Sequence, residues 1–439
     1  MARIAPDRGS VAHFARLRGP DLLGRTKPLK EWVVERVQRD LWPYSRALHS
    51  GPSTVVRVEN LTGEVTEGIN LASQDYLGLA TSPRIIDAAV DAARTYGVHS
   101  AGSGVLSGNS DLSRHLESEI GELVQAEHVL LFPTGWAAGF GAVVGLVRPF
   151  DHVLLDEYAH ACLQQGAAAA TPNVHRHAHL DTDALTAKLS AIRANDTKAG
   201  ILVITEGLYS MDADVPRLQQ FIDVAHEYDA VLLVDQAHDL GSSGPGGTGA
   251  LGAQGLLGQA DLVMGAFSKT FASNGGFIAT NSQTAKIAMT CFGGSFTFSN
   301  ALSPVQVSVV REALRIVRSA EGDVLRTALS ERSVALREEL AGRGHPCLGT
   351  VSAVNPVPIG SEAVARTVSG ELGRRGVIAN LVEFPAVALG SARLRLQVMA
   401  AHTPEQMRTA GAAIAGTIDD VRAALAGGSA LESGLRAGY

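Results

Sequence analysis

The chain of 439 residues carries a formal net charge of −7 and is 46% hydrophobic but only 5% aromatic. This is apolar material for a large core and two or three domains, and the acidic balance excludes the electrostatic footprint of a nucleic-acid or anionic-membrane binder. Cys162, Cys291 and Cys347 stand far apart with no CxxC spacing, so reduced thiols are expected and no metal site.

Residues 1–60 read as an N-terminal arm, with a polar helical segment around "LKEWVVERVQRDLWPYSRALHS" and a locally basic start. The opening residues lack the apolar core of a secretory signal, and no apolar run without Gly, Pro or charge is long enough to cross a bilayer. A cytoplasmic protein with no membrane span is therefore expected. From "INLASQDYLGLA" (69–80) onward, short apolar runs alternate with helical periodicity. The runs at 128–132, 152–156, 200–206, 230–235, 261–267 and 275–281 are expected strands. Their near-continuous hydrophobicity suits strands covered on both faces of a parallel or mixed sheet. The stretch 212–229 has helical period, as the connections of an α/β fold require. The expected division is a large domain over 61–303, a smaller α+β domain over 304–425 and a loose Gly/Ser-rich tail over 426–439.

Polar residues gather where these expected strands end. One strand leads to His160, the next to Glu206 and Ser210, the next to Asp235 and His238, and the next to Ser268 and Lys269. In open α/β sheets ligands sit outside the carboxyl ends of the strands, so four consecutive strands aim titratable groups at one crevice. A lysine in such a pocket can hold a carbonyl as a Schiff base once its pKa is lowered. An acid one strand away suits pyridoxal phosphate, whose ring nitrogen needs an anionic partner. "FPTGWAAGFGAV" (132–143) is a strand end, a Gly turn and a helix start, placing the amides of Thr134, Gly135 and Trp136 where a phosphate can bind.

"NLASQDYLGLA", "HLE", "PTGWAAG", "DEYAHACLQQG", "EGLYSMDADVP", "VDQAHDLG", "GAFSKTFASNGGF" and "RLRLQVMAAHTPEQ" occur in this order. In order and spacing they resemble the α-oxoamine synthases, which include 8-amino-7-oxononanoate synthases, 2-amino-3-ketobutyrate CoA ligases and serine palmitoyltransferases. The resemblance covers roughly residues 40–425. It implies an α/β fold-type-I transferase of the aspartate-aminotransferase kind, with a mostly parallel central sheet and a smaller α+β C-terminal domain. It also implies pyridoxal 5'-phosphate, an amino acid and an acyl thioester as substrates, and a homodimer with shared active sites. The acyl group is carried by coenzyme A or by an acyl-carrier protein. By resemblance, Lys269 holds the cofactor, Asp235 pairs with its ring nitrogen, and His238 meets the ring hydroxyl or the incoming acyl carbonyl. His160 stacks on the ring, Ser210 and Ser268 lie beside the cofactor, and Thr134, Gly135 and Trp136 hold the phosphate. Asn300 in "FTFSN" reaches the partner's phosphate, and Arg395, chosen over Arg393 by the family match alone, binds the amino-acid carboxylate.

Several positions depart from the family pattern. Gln236 stands where an acid is usual, Ala266 for a Thr, Gly104 for an Arg, and Gln74 for an Asn beside the amino-acid carboxylate. Glu383 precedes "FPAV" where the oxononanoate synthases place an Arg nearby. These changes favour a specialised synthase over a biotin-pathway enzyme. The alternatives are another fold-type-I reaction, such as transamination or a lyase step, and a non-catalytic subunit, which Lys269 argues against.

Overall fold

The computed structural model describes residues 4–426, so nearly all of the expected tail lies outside the described residues. Contacts gather these residues into two compact units, one of 74–210 and 214–327, the other of 4–73, 211–213 and 328–426. In chain order the first strands are β1 (Ala47–Leu48), β2 (Val55–Glu59) and β3 (Val65–Leu71). Next come β4 (His128–Phe132), β5 (His152–Asp156), β6 (Val174–His177), β7 (Ile201–Glu206), β8 (Val231–Asp235), β9 (Leu262–Ala266) and β10 (Gly276–Thr280). The last three are β11 (Val354–Gly360), β12 (Val377–Val382) and β13 (Ala392–Gln397).

The larger unit is built on a seven-stranded sheet of order β4-β10-β9-β8-β7-β5-β6. Pairings from β9 through β6 are all parallel, and β10 runs antiparallel to both of its neighbours. All six expected strands are present, each within a residue or so of its anticipated ends, because an uninterrupted apolar run with no polar face can only be covered on both sides. On one face Leu130, Phe132, Val153, Leu155, Ile204, Leu233, Met264 and Ile278 form a core with Ala138, Ala142, Val143, Leu163 and Ala167. The last five come from the helices Gly135–Leu146 and Ala161–Ala170, whose small residues let backbone approach the sheet. The edge strand β6, "VHRH", carries no apolar run and was not anticipated.

The smaller unit holds a six-stranded sheet of order β1-β2-β3-β12-β13-β11. Here the expectation of a helical segment to about residue 60 is corrected, since the helix Lys27–Gln38 stops well short of β1 and β2. "VVRVE" alternates strictly, burying Val56 and Val58 and exposing Val55 and Arg57, which is a strand's period of two. Since β3 pairs with β12 in parallel, residues 65–71 belong with the C-terminal strands rather than with the segment that follows them. Among the described residues no helix is long and apolar enough to cross a membrane.

Candidate active site

The carboxyl ends of the large sheet's strands carry the anticipated groups. After β4, Thr134 caps the helix Gly135–Leu146, its side-chain oxygen accepting the amide of Ala137 at 3.0 Å. The amides of Gly135 and Trp136 are the first in that helix and have no acceptor within it, so they face outward with the positive end of the helix dipole. Gly135 is obligatory there: a Cβ would lie 2.6 Å from the Cβ of Ala266 on β9. Gly276 on β10 is equally constrained, because its Cβ would fall 2.6 Å from the Cα of Gly135.

His160 follows β5 and caps the next helix. Its Nδ1 accepts the amide of Cys162 at 3.3 Å and lies 3.0 Å from the Cys162 sulfur, so a neutral ring carries its proton on Nε2. Burial pushes the Cys162 thiol well up, aided by the charge of Asp235, which makes it an inert packing group rather than a nucleophile. The backbone N–H of His160 donates to the Glu206 carboxyl at 2.7 Å. Ser210, buried, follows β7, and Ser268 and Lys269 follow β9, Ser268 exposed and Lys269 half-buried.

Asp235 ends β8, 4% exposed, and accepts the amide of Ala237 at 2.9 Å. Burial pushes its pKa up, while His160, Lys269 and the Ala237 amide pull the other way. His238 is buried three residues later, and the Tyr76 hydroxyl lies 2.8 Å from its Nδ1. A phenol proton given to Nδ1 leaves the imidazole's own proton on Nε2. Tyr76 itself is fully buried, and sequence reasoning singled out its motif, "QDYLGLA", without assigning the tyrosine a role. Glu206 was placed at a strand end but given none, and Cys162 was read only as a reduced thiol. Gln74 lies half-buried at the start of the large unit, and Asn300 contacts His99 through its amide nitrogen at 3.2 Å.

Arg395 is not part of this strand-end group; it lies on β13 of the smaller unit, half-buried. Arg393, two residues earlier and so on the same face of that strand, donates to the Met211 carbonyl and pairs with Asp212, which commits it to its own unit.

Two departures from the family pattern are internal. Gln236 is completely buried, and its Nε2 donates to Asp239 at 3.0 Å, while Asp239 also accepts the Ala250 amide at 2.6 Å. It braces the turn after β8, which corrects the expectation that it bears on substrate choice. Glu383 accepts from Arg366 at 2.6 Å and from Tyr44 at 3.3 Å, with Arg36 at 3.7 Å. Its carboxylate is consumed by two buried guanidiniums, so it too carries no information about the substrate. Gly104 abuts Phe296, whose Cζ would lie 2.9 Å from an added Cβ, so a larger residue there needs that ring to move.

The family model "Aminotransferase class I and II" matches residues 66–414. A serine palmitoyltransferase of Sphingobacterium spiritivorum is 34% identical over 375 residues, 85% of this chain and 91% of the relative. An 8-amino-7-oxononanoate synthase of Trichlorobacter lovleyi is 33% identical over 361 residues, 81% of this chain and 91% of the relative. Among solved structures, the serine palmitoyltransferase of Sphingomonas wittichii superposes with a TM-score of 0.84 at 27% identity, covering 92% of this chain and 99% of that one. With this fold, these strand-end groups and these relatives, the chain belongs to the class I and II aminotransferase family and, within it, to the pyridoxal-phosphate-dependent α-oxoamine synthases.

Proposed function

We propose that the protein condenses a small α-amino acid with an acyl thioester, on coenzyme A or on an acyl-carrier protein, and releases carbon dioxide to leave an α-amino ketone. The observation that carries this reading is that Thr134–Trp136, His160, Ser210, Asp235, His238 and Lys269 all lie at or after the carboxyl ends of strands of one sheet. The residues present fit pyridoxal phosphate. Asp235 is a buried acid whose charge a pyridinium stabilises, and the helix start at Gly135 is a cradle that a Cβ closes. When bound, the cofactor supplies an electron sink for the carbanion at Cα.

Lys269 would hold the cofactor and, when free as an amine, is the group placed after β9 to take the Cα proton as general base. Asp235 keeps its charge against the ring nitrogen, and His160 covers the ring face. His238, held through Nδ1 by Tyr76, presents its Nε2 proton to the ring oxygen or to the acyl carbonyl, where charge develops during attack. Gly135 and Trp136 hold the phosphate by their amides, with Thr134, Ser210 and Ser268 beside the cofactor. Arg395 binds the amino-acid carboxylate as a bidentate fork, with Gln74 beside it. A bond forms between Cα and the acyl carbon and the carbon–sulfur bond breaks, the thiolate leaving as the thiol with the proton taken from Cα; the carboxylate then departs as carbon dioxide, and Cα takes a proton from solvent in its place. The protein works in the cytoplasm as a homodimer, Asn300 of each copy completing the other's phosphate site.

The experiment is spectroscopic. Cofactor-saturated protein should show a visible absorption band that borohydride removes and that Lys269→Ala lacks. Proton exchange at Cα of glycine, alanine or serine should then be visible by NMR without any thioester. A band unchanged in Lys269→Ala overturns the lysine's role; exchange on amines but on no amino acid overturns that of Arg395.

A further inference from the structure

Glu206 and Asp235 close adjacent parallel strands in direct register, so their side chains leave the sheet on the same face, side by side. Each is 4% exposed. Two carboxylates in such a position cannot both stay ionised without ample positive charge. The titratable groups facing the pair are Asp156 at the end of β5, His160 and Cys162 beyond it, Tyr209 after β7, and Lys269 after β9. Asp156 adds negative charge that His179, 2.8 Å from it, partly offsets; the cysteine and phenol are neutral; His160 and Lys269 favour the charge on Asp235, and Lys269 alone of these favours that on Glu206.

The two acids also differ in what they hold. Asp235 accepts an amide two residues along its own turn, a local contact. Glu206 reaches to the loop after β5 and accepts the backbone N–H of His160 at 2.7 Å, fixing that residue where its ring begins the helix Ala161–Ala170. Burial pushes Glu206 well above the carboxylate range, and the charges of Asp235 and Asp156 push the same way.

We propose that Glu206 is a positioning residue that stays protonated beside Asp235, anchoring His160 while the pair presents a single negative charge to the cofactor's ring nitrogen. The proposal rests on the reading of Lys269 and Asp235 as the cofactor's partners. A neutral acid suits both duties, since its carbonyl oxygen still accepts the His160 amide and its proton removes the second charge that would otherwise raise Asp235.

Glu206→Gln keeps the shape, the acceptor and the neutrality, whereas Glu206→Ala keeps none of the contact. Infrared spectra of the whole apoprotein at pH 8 should show the carbonyl stretch of a protonated carboxylic acid that shifts on deuteration and is missing from Glu206→Gln. In cofactor-loaded protein, the pH midpoint of the visible band in Glu206→Gln should correspond to a proton concentration within about twofold of the parent's. Glu206→Ala should weaken cofactor affinity by about tenfold, the scale of one lost hydrogen bond. Absence of the acid carbonyl in the parent protein, or a tenfold displacement of the midpoint in Glu206→Gln, overturns the proposal. Persistence of the visible band in Lys269→Ala overturns the cofactor reading instead, and the infrared comparison of the apoproteins stands apart from that result.

Discussion

Gln236 lies completely buried just after β8. Its amide nitrogen satisfies Asp239, whose pKa burial already raises to about 6. Gln236→Glu would put a second acid against Asp239, at a cost of about 3 kcal/mol once both are charged. An acid whose folded pKa is raised binds more protons folded than unfolded, so the variant's stability should fall as pH rises through and above the ordinary glutamate range. Urea midpoints at pH 5 and pH 8 check this; a penalty that does not grow with pH contradicts it. Gly135→Ala makes a second test at this scale, forcing a methyl to within 2.6 Å of Ala266, with about 1–3 kcal/mol lost and weaker cofactor binding in a titration. Lys269, Asp235 and His238 were legible because polar groups at the end of an apolar strand are conspicuous. The contacts that hold His238 and His160, from Tyr76 to the first and from Glu206 and Cys162 to the second, were not, since a contact such as that between Tyr76 and His238 is set by tertiary packing and not by spacing along the chain.

Among the elements, the end of β5, the residues just past β6 and the loop after β7 are joined by one imidazole. His179, just past β6, lies 2.8 Å from Asp156 through Nδ1 and 2.9 Å from Asp214 through Nε2. Only an imidazolium donates to two carboxylates at once. Burial opposes that charge, but the two acids outweigh it and hold His179 at about 9, above its ordinary 6.5. The stabilisation is therefore complete below about pH 6.5 and is lost as pH rises through 9. The thermal midpoint should drop across that window in the parent protein, and His179→Asn should be less stable at pH 7 with a shallower drop; an equal drop in both contradicts the assignment. β6 escaped notice because "VHRH" lies at the sheet edge, where polar side chains are tolerated and the apolar run that betrays interior strands is not needed.

At the scale of the whole molecule, the two units were legible to different degrees. The large sheet follows from six apolar runs, whereas the small sheet draws β1–β3 from one end of the chain and β11–β13 from the other, a pairing that texture along the sequence cannot reveal. Within the smaller unit, Arg36 and Arg366, both essentially unexposed, share Glu383 and also donate to the backbone carbonyls of Pro6, Asp7, Arg8 and Gly9. Removing the one acid leaves two buried cations facing each other, so Glu383→Ala should cost about 3–5 kcal/mol in chemical unfolding. If Glu383 served the substrate instead, the variant would keep its stability and lose activity.

Mass spectrometry of the products reads the reaction itself. Cofactor-loaded protein is mixed with glycine, alanine or serine and a panel of acyl thioesters carried on coenzyme A or on an acyl-carrier protein. Free thiol should appear together with a product whose mass is that of the two substrates less the thiol and carbon dioxide. A 2-oxo acid formed from the amino acid, with no condensed product in any pairing, would contradict that reaction.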